Sequence, residues 1–174
     1  MKTIYCKEKI MRKTEQNLWE AFAGESQANR KYLAFAEKAD REGHSQAAKL
    51  FRAAAHAETV HAHAHLRALK AVGDTAANLR EAVAGETHEF KNMYPDMIET
   101  ARQEGDKAAE RTFTYANEVE KTHAALYQKA LDSLDNPTVT DYYVCKVCGH
   151  THENKAPERC PVCGANSNAF DKID

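Results

Sequence analysis

The sequence predicts an all-α four-helix bundle followed by a small metal-knuckle unit, and three observations carry that reading. Apolar residues recur at helical spacing through the first 136 positions. Gly (7) and Pro (4) are scarce in a 174-residue chain that is 43% hydrophobic, which disfavours disorder and favours helix. Four of the five cysteines fall within the last 30 residues. Asp135-Asn136-Pro137 ends a helix and opens a linker, so the bundle is assigned to residues 1–137 and the knuckle unit to 138–174.

The first helical segment runs from Thr14 to Arg41, closed by Gly43, with the stripe Leu18, Phe22, position 25, position 29, Tyr32, Ala36 and Ala39. A second opens near Ser45 and ends before Gly73; its stripe is Ala47, Phe51, Ala54, positions 58, 61 and 65, Leu69 and Val72. The third starts around Thr75 and passes Leu79, Val83, position 86, position 89 or Phe90, Met93, Met97 and Ala101, with a kink expected at Pro95. The fourth starts near Asp106 and reads Ala109, Phe113, Ala116, positions 120 and 123, Tyr127, Leu131 and Leu134.

Each stripe is interrupted at its middle by ionisable residues: Glu25 in the first, Glu58, His61 and His65 in the second, Glu86 and Glu89 in the third, Glu120 and His123 in the fourth. An isolated charge on a buried face costs several kcal/mol, so something must neutralise them. One Glu-x-x-His alone carries little weight. Here two occur, Glu58-x-x-His61 and Glu120-x-x-His123, both in phase with the apolar stripe. The sequence also repeats itself, Ala23-Gly24-Glu25-Ser26 recurring as Ala84-Gly85-Glu86-Thr87. Glu58 follows Glu25 by 33 residues and Glu120 follows Glu86 by 34. A helix pair carrying one Glu and one Glu-x-x-His has been duplicated. Carboxylates that can bridge let two cations sit close together, and this ligand set is that of ferritin-like di-iron and di-manganese bundles. The carboxylate count favours iron or manganese over zinc; a metal-free polar network across the bundle is the bland alternative. His56 and His63 fall off the stripe and, with His65, are read as surface or supporting residues.

The cysteines form Cys145-x-x-Cys148 and Cys160-x-x-Cys163, each pair followed by Gly (Gly149 and Gly164). Two such pairs make a tetrahedral four-sulfur site for which zinc or a single iron both fit, and so short a unit takes much of its folding free energy from the metal. Cys6 is left as an ordinary thiol.

With 24 Lys plus Arg against 26 Asp plus Glu, a net charge of −2 and no basic run, neither nucleic acid nor an anionic membrane finds an electrostatic footprint. No apolar run approaches the roughly 18 residues of a bilayer span, and MKTIYCKEKIMRK lacks a signal peptide's apolar stretch, so a cytoplasmic protein is expected.

With FAGESQA in the first helix, both Glu-x-x-His motifs, Gly85-Glu86-x-x-Glu89 and the CxxCG and CPxCG pair behind them, the chain resembles the rubrerythrin family over essentially its whole length. The resemblance implies a ferritin-like bundle holding two irons and a rubredoxin-like domain whose Cys145, Cys148, Cys160 and Cys163 hold one iron for electron transfer. It implies bridging carboxylates at Glu58 and Glu120, terminal ligands at Glu25 and Glu86, and His123 as the imidazole of one iron. Glu89 and His61 match the family's redox pair, exchanged as ligands at the other iron; Tyr32 and Tyr94 match tyrosines beside the site, with plain core aromatics as the alternative. Glu89 has no counterpart in the first repeat, where Ala28 stands, so one carboxylate is surplus to a symmetric site. The implied activity is reduction of hydrogen peroxide to water, with electrons from NAD(P)H through a separate reductase, since no G-x-G-x-x-G is present. Ferroxidase activity and a regulatory protein with a structural zinc ribbon are the rivals.

A ferritin-like bundle makes the second and third helices parallel, so the chain between them must cross its length. From position 60 to 88 there are 28 residues, of which roughly nine or ten must be non-helical to make that journey. Only Gly73-Asp74-Thr75 clearly breaks helix. A homodimer is expected, either swapped, with the first two helices pairing with the last two of another subunit, or built from closed bundles with residues 71–80 extended.

Overall fold

A computed structural model describes residues 11–174; Cys6 lies outside the described residues. Among the described residues there are five α-helices, α1 (Lys13–Arg41), α2 (Ser45–Leu69), α3 (Thr75–His88), α4 (Tyr94–Glu104) and α5 (Lys107–Asp132), with a π-helical segment, Glu89–Met93, joining α3 to α4. Three short strands follow: β1 (Tyr142–Cys145), β2 (Thr151–Glu153) and β3 (Phe170–Ile173), the last entered through a 3₁₀ turn, Ser167–Ala169. They form one antiparallel sheet in the order β2-β1-β3, with Tyr143 opposite both His152 and Lys172. The predicted class, a helical bundle followed by a four-cysteine unit, is the class observed.

The chain divides between Gly73 and Asp74 into two compact units. In the first, α1 packs on α2. The turn between them needs Gly43 in the left-handed region (φ 82°), and Arg52 of α2 donates to Asp40 of α1 at 2.7 Å. The contact is made of small residues: Ala36 and Ala39 on α1 against Ala48, with Phe51 beside them. Farther along, Asn29 of α1 donates its amide to the Ala55 carbonyl (2.6 Å) and to Thr59 Oγ1 (2.9 Å).

The buried positions of α2 are Ala48, Ala55 and Ala62, one residue round from the stripe expected at Ala47 and Ala54. Their seven-residue spacing is that of a helix seam, and side chains that end at the β-carbon let two helices approach closely. The expected stripe is thereby shifted to the edge of the seam, where Phe51, Ala54, Glu58 and His65 are half-buried. α2 also stops earlier than its apolar pattern suggests. Lys70 takes a left-handed conformation (φ 55°) and closes the helix, leaving Val72 outside it and 63% exposed.

In the second unit α3 and α4 both pack on α5. Asp74 caps α3 by accepting from the Ala77 amide at 2.7 Å, and Asp106 caps α5 by accepting from Ala108 and Ala109, both at 3.0 Å. The bend expected at Pro95 is spread over the π segment just before it. Proline cannot donate, and its ring crowds the carbonyl four residues back; the wider turn, in which the Tyr94 amide donates to the Glu89 carbonyl, accommodates both demands. The four-cysteine segment belongs to this same unit.

Candidate metal centres

The two halves of the repeat assemble two matching sets of donors. In the first unit Glu25 comes from α1, while Glu58 and His61 lie one turn apart on α2. His61 Nδ1 is 2.9 Å from Glu58 Oε2 and 4.0 Å from Glu25 Oε1. In the second unit Glu86 comes from α3, and Glu120 and His123 from α5; His123 Nδ1 is 2.7 Å from Glu120 Oε2 and 3.7 Å from Glu86 Oε1. Within each set the donor atoms all lie within 4.8 Å of one another. The second set is better shielded: the Glu86, Glu120 and His123 side chains are 19%, 15% and 27% exposed, against 56% for His61.

Crowding carboxylates in this way raises the free energy of the ionised form. Burial, reinforced by the charge and hydrogen bond of Glu120 and the charge of Glu89, pushes Glu86 up to about 7. Glu89 is also raised, chiefly by burial and then by Glu120, against the opposing charges of His88 and His123. Tyr94 is raised by burial and by the charges of Glu89, Glu120 and Glu86, which places its phenol in the field of this cluster; its ring packs 6.3 Å from Phe113. Tyr32 instead sits in an aromatic group, with ring centroids 6.3 Å from both Phe35 and Phe51. His56 and His63 are exposed and His65 is half-buried.

The two predicted exchange partners therefore lie in different units, His61 with Glu25 and Glu58, and Glu89 near Glu120 and His123. Glu89 opens the π segment. Its origin is visible in the repeat. Glu25 and Glu86 are 61 positions apart, whereas Tyr32 and Tyr94, Gly43 and Gly105, Glu58 and Glu120, and His61 and His123 are all 62 apart. One extra residue has entered the second repeat between 86 and 94, and the helix absorbs it as a π turn. That insertion was already present in the unequal spacings of 33 and 34, a signal for the π turn that the periodicity argument passes over.

Cys145, Cys148, Cys160 and Cys163 converge as predicted. Cys145 and Cys163 Sγ are 3.7 Å apart, and Cys148 and Cys160 Sγ 3.5 Å. A tetrahedron with metal–sulfur bonds of about 2.3 Å has edges near 3.8 Å, so the cage is of the right size for one ion. Gly149 (φ 84°) and Gly164 (φ 77°) make the knuckle turns, their amides donating to the Cys145 and Cys160 carbonyls at 2.8 and 2.9 Å. Further amides aim at sulfur: His150 at Cys148, Ala165 at Cys163, and both Cys163 and Val162 at Cys160. Burial raises the Cys148 and Cys163 thiols. It acts on Cys160 too, but there the amide donors prevail and hold the thiol below its usual range. Sequence reasoning singled out neither His150, buried with both ring nitrogens unpartnered, nor Thr151, which contacts His123; only tertiary packing reveals them.

Together these features define a helical carboxylate–imidazole metalloprotein that carries its own four-cysteine centre. The rubrerythrin family model matches residues 16–131, and that of the rubrerythrin rubredoxin-like domain matches 143–171. The chain belongs to the rubrerythrin family. It is 40% identical to rubrerythrin-2 of Clostridium acetobutylicum, with 90% of this chain and 95% of that one covered. It is 33% identical to nigerythrin of Nitratidesulfovibrio vulgaris (90% and 85% covered). A structure of nigerythrin in a partially reduced state matches with a TM-score of 0.57 at 30% identity, covering 98% of this chain and 91% of that one. The family's cofactor is iron, in a di-iron site and a rubredoxin-like centre, and the donor sets described above fit both. No helix among the described residues is long and apolar enough to cross a membrane.

With Glu86 taken as a ligand, its raised value sets the pH dependence of metal uptake. Below pH 7 its carboxyl is largely protonated in the metal-free protein, and a ligand must give up its proton to bind. Ferrous-ion affinity for the carboxylate site is expected to fall about tenfold for each unit below pH 7, read by anaerobic competition titration. The same raised value means that this group's contribution to the metal-free fold is greatest below 4.5 and is lost as pH rises through 7. An affinity that stays flat from pH 6 to pH 8 would contradict the assignment of Glu86 as a ligand.

Proposed function

We propose that this chain is a non-haem di-iron peroxidase that reduces hydrogen peroxide to water in defence against oxidative stress, fed with electrons by a separate NADH-linked reductase through the four-cysteine centre of residues 138–174. The observation that carries the reading is the presence, in one chain, of two symmetric carboxylate–imidazole sets and a one-ion thiolate cage. Glu58 and Glu120 are assigned as bridging ligands, Glu25 and Glu86 as terminal ones, His123 as the imidazole of one iron, and His61 and Glu89 as alternates at the other. Cys145, Cys148, Cys160 and Cys163 hold the single iron.

When bound by these residues, a ferrous pair would supply the two electrons needed to reduce the O–O bond, and iron held by the four cysteines would supply electrons to restore them. The chain's own side chains must supply the two protons that complete two waters. Glu89, raised by burial, can hold a proton at its carboxyl when it is not a ligand, and Tyr94 stands in the field of the same cluster with a phenol to donate. Tyr32 is assigned the corresponding place in the first unit. The cytoplasm suits a centre that depends on reduced thiols.

The assembly proposed is a homodimer in which α1 and α2 of one subunit complete a site with α3 and α5 of another. Only Lys70–Asp74 separates α2 from α3, about half the non-helical length that a crossover within one chain needs.

Single turnover tests the activity. The reduced, iron-loaded protein mixed anaerobically with one equivalent of hydrogen peroxide is expected to consume it within the mixing experiment, the ferric-thiolate bands appearing only after the carboxylate-bound iron is oxidised. Peroxide left unconsumed, or a colourless cysteine centre holding stoichiometric zinc in protein purified from its natural source, would overturn the reading.

A further inference from the structure

The four-cysteine segment is fastened to the ligand-bearing helix α5 of its own unit at three points. Gly149, in the first knuckle, backs onto Val119: a β-carbon built at Gly149 would lie 3.9 Å from Val119 Cγ1. Lys129 donates to both carboxylate oxygens of Glu153 on β2, at 2.8 and 2.7 Å. Between these, Thr151 Oγ1 lies 3.0 Å from His123 Nε2. The same hydroxyl is 3.4 Å from the Gly149 carbonyl, and the Gly149 amide donates to the Cys145 carbonyl at 2.8 Å. Hydrogen bonds joined through the Gly149 backbone thus lead from the His123 ring to the backbone of a cysteine in the sulfur cage.

We propose that Thr151 is a positioning residue that fixes His123 for metal binding and couples the four-cysteine centre to the carboxylate site that His123 serves. Resting on the assignment of His123 as an iron ligand, the proposal identifies what holds that ligand. His123 Nδ1 is the nitrogen aimed at Glu120 and Glu86, so with metal bound the ring proton resides on Nε2. Nε2–H then donates to Thr151 Oγ1, whose own hydrogen is free for the Gly149 carbonyl. Threonine satisfies both demands because a hydroxyl accepts and donates at once; valine, of nearly the same shape, does neither. His61, the counterpart of His123 in the repeat, lies in the unit without the sulfur cage, so the coupling distinguishes the two imidazoles.

The test uses full-length Thr151→Val and Thr151→Ser proteins. In zinc-loaded, diamagnetic samples, imidazole nitrogen NMR is expected to show the wild-type His123 Nε2–H slowed in its exchange with water. Thr151→Val should speed that exchange at least about tenfold, and Thr151→Ser should restore it. In iron-loaded protein, electron transfer from the reduced cysteine centre should slow about tenfold in Thr151→Val and recover in Thr151→Ser, with the visible thiolate bands unchanged. Valine values within twofold of wild type in both measurements would overturn the proposal while leaving His123 a ligand. Absence of any zinc-induced shift at wild-type His123 Nδ1 would overturn the ligand assignment, and the proposal with it.

Discussion

Replacing Cys160 by alanine is expected to unfold the C-terminal sheet, abolish the visible thiolate bands and reduce donor-driven peroxide turnover to background, while the five helices persist. The strands are four, three and four residues long, and the buried core beneath them is Cys145, Cys160 and Phe170. Two of those three are ligands, so the core and the metal site are largely the same object. Structural metals in domains of this size contribute about 10–16 kcal/mol to folding, more than so small a core supplies. Without a cation nothing replaces that term. Burial holds the Cys148 and Cys163 thiols protonated, leaving only weak S–H···S contacts of 3.5 and 3.7 Å between the sulfurs. Hydrogen exchange reads the outcome at the amides of Cys145, bonded to the His150 carbonyl at 3.0 Å, and Lys146, bonded to Ala169 at 2.8 Å. Cys160→Ser separates ligand loss from cavity formation and should behave like alanine. Retained protection of these amides in both variants would show that the sheet stands without its metal.

The parts of this structure that could be read from the sequence are those set by periodicity and by chemistry that only one donor set satisfies. Four acid-bearing helical segments were legible because charges at Glu25, Glu58, Glu86 and Glu120 keep the phase of the apolar stripe, and the sulfur cage because two Cys-x-x-Cys-Gly runs have few other uses. The contact face of α2 was not legible. Alanine occupies both Ala47 and Ala48, both Ala54 and Ala55, so composition gives no reason to choose between adjacent rows; the choice is made by α1. Nor was the end of α2, because Lys70 adopts a left-handed conformation without glycine. The break at 89–93 depends on a balance between the crowding of Pro95 and the extra residue before it, which no stripe records. Thr151 is 28 residues from His123 and gives no local sign of their contact.

Co-refolding two inactive variants is expected to restore about a quarter of wild-type di-iron loading and peroxide turnover, provided that the dimer is swapped. One variant carries Glu25→Ala and Glu58→Ala, the other Glu86→Ala and Glu120→Ala, so that each loses the two carboxylates of one donor set and keeps those of the other. Alone, each makes dimers in which every site lacks two carboxylates and leaves charged or histidine partners without a cation. Mixed, about half of the dimers are heterodimers, and in a swapped heterodimer one of the two sites draws both of its halves from intact units. A closed bundle gives no intact site in any combination, because each chain then carries its own defect into its own site. The linker is what makes the first outcome the expected one. Lys70–Asp74 spans at most about 18 Å fully extended, and the 25 residues of α2 alone rise about 37 Å. Recovery at the level of either variant alone, with heterodimers demonstrated by native mass spectrometry, would rule out the swap and leave the crossover to be made by unwinding one end of α2 or α3.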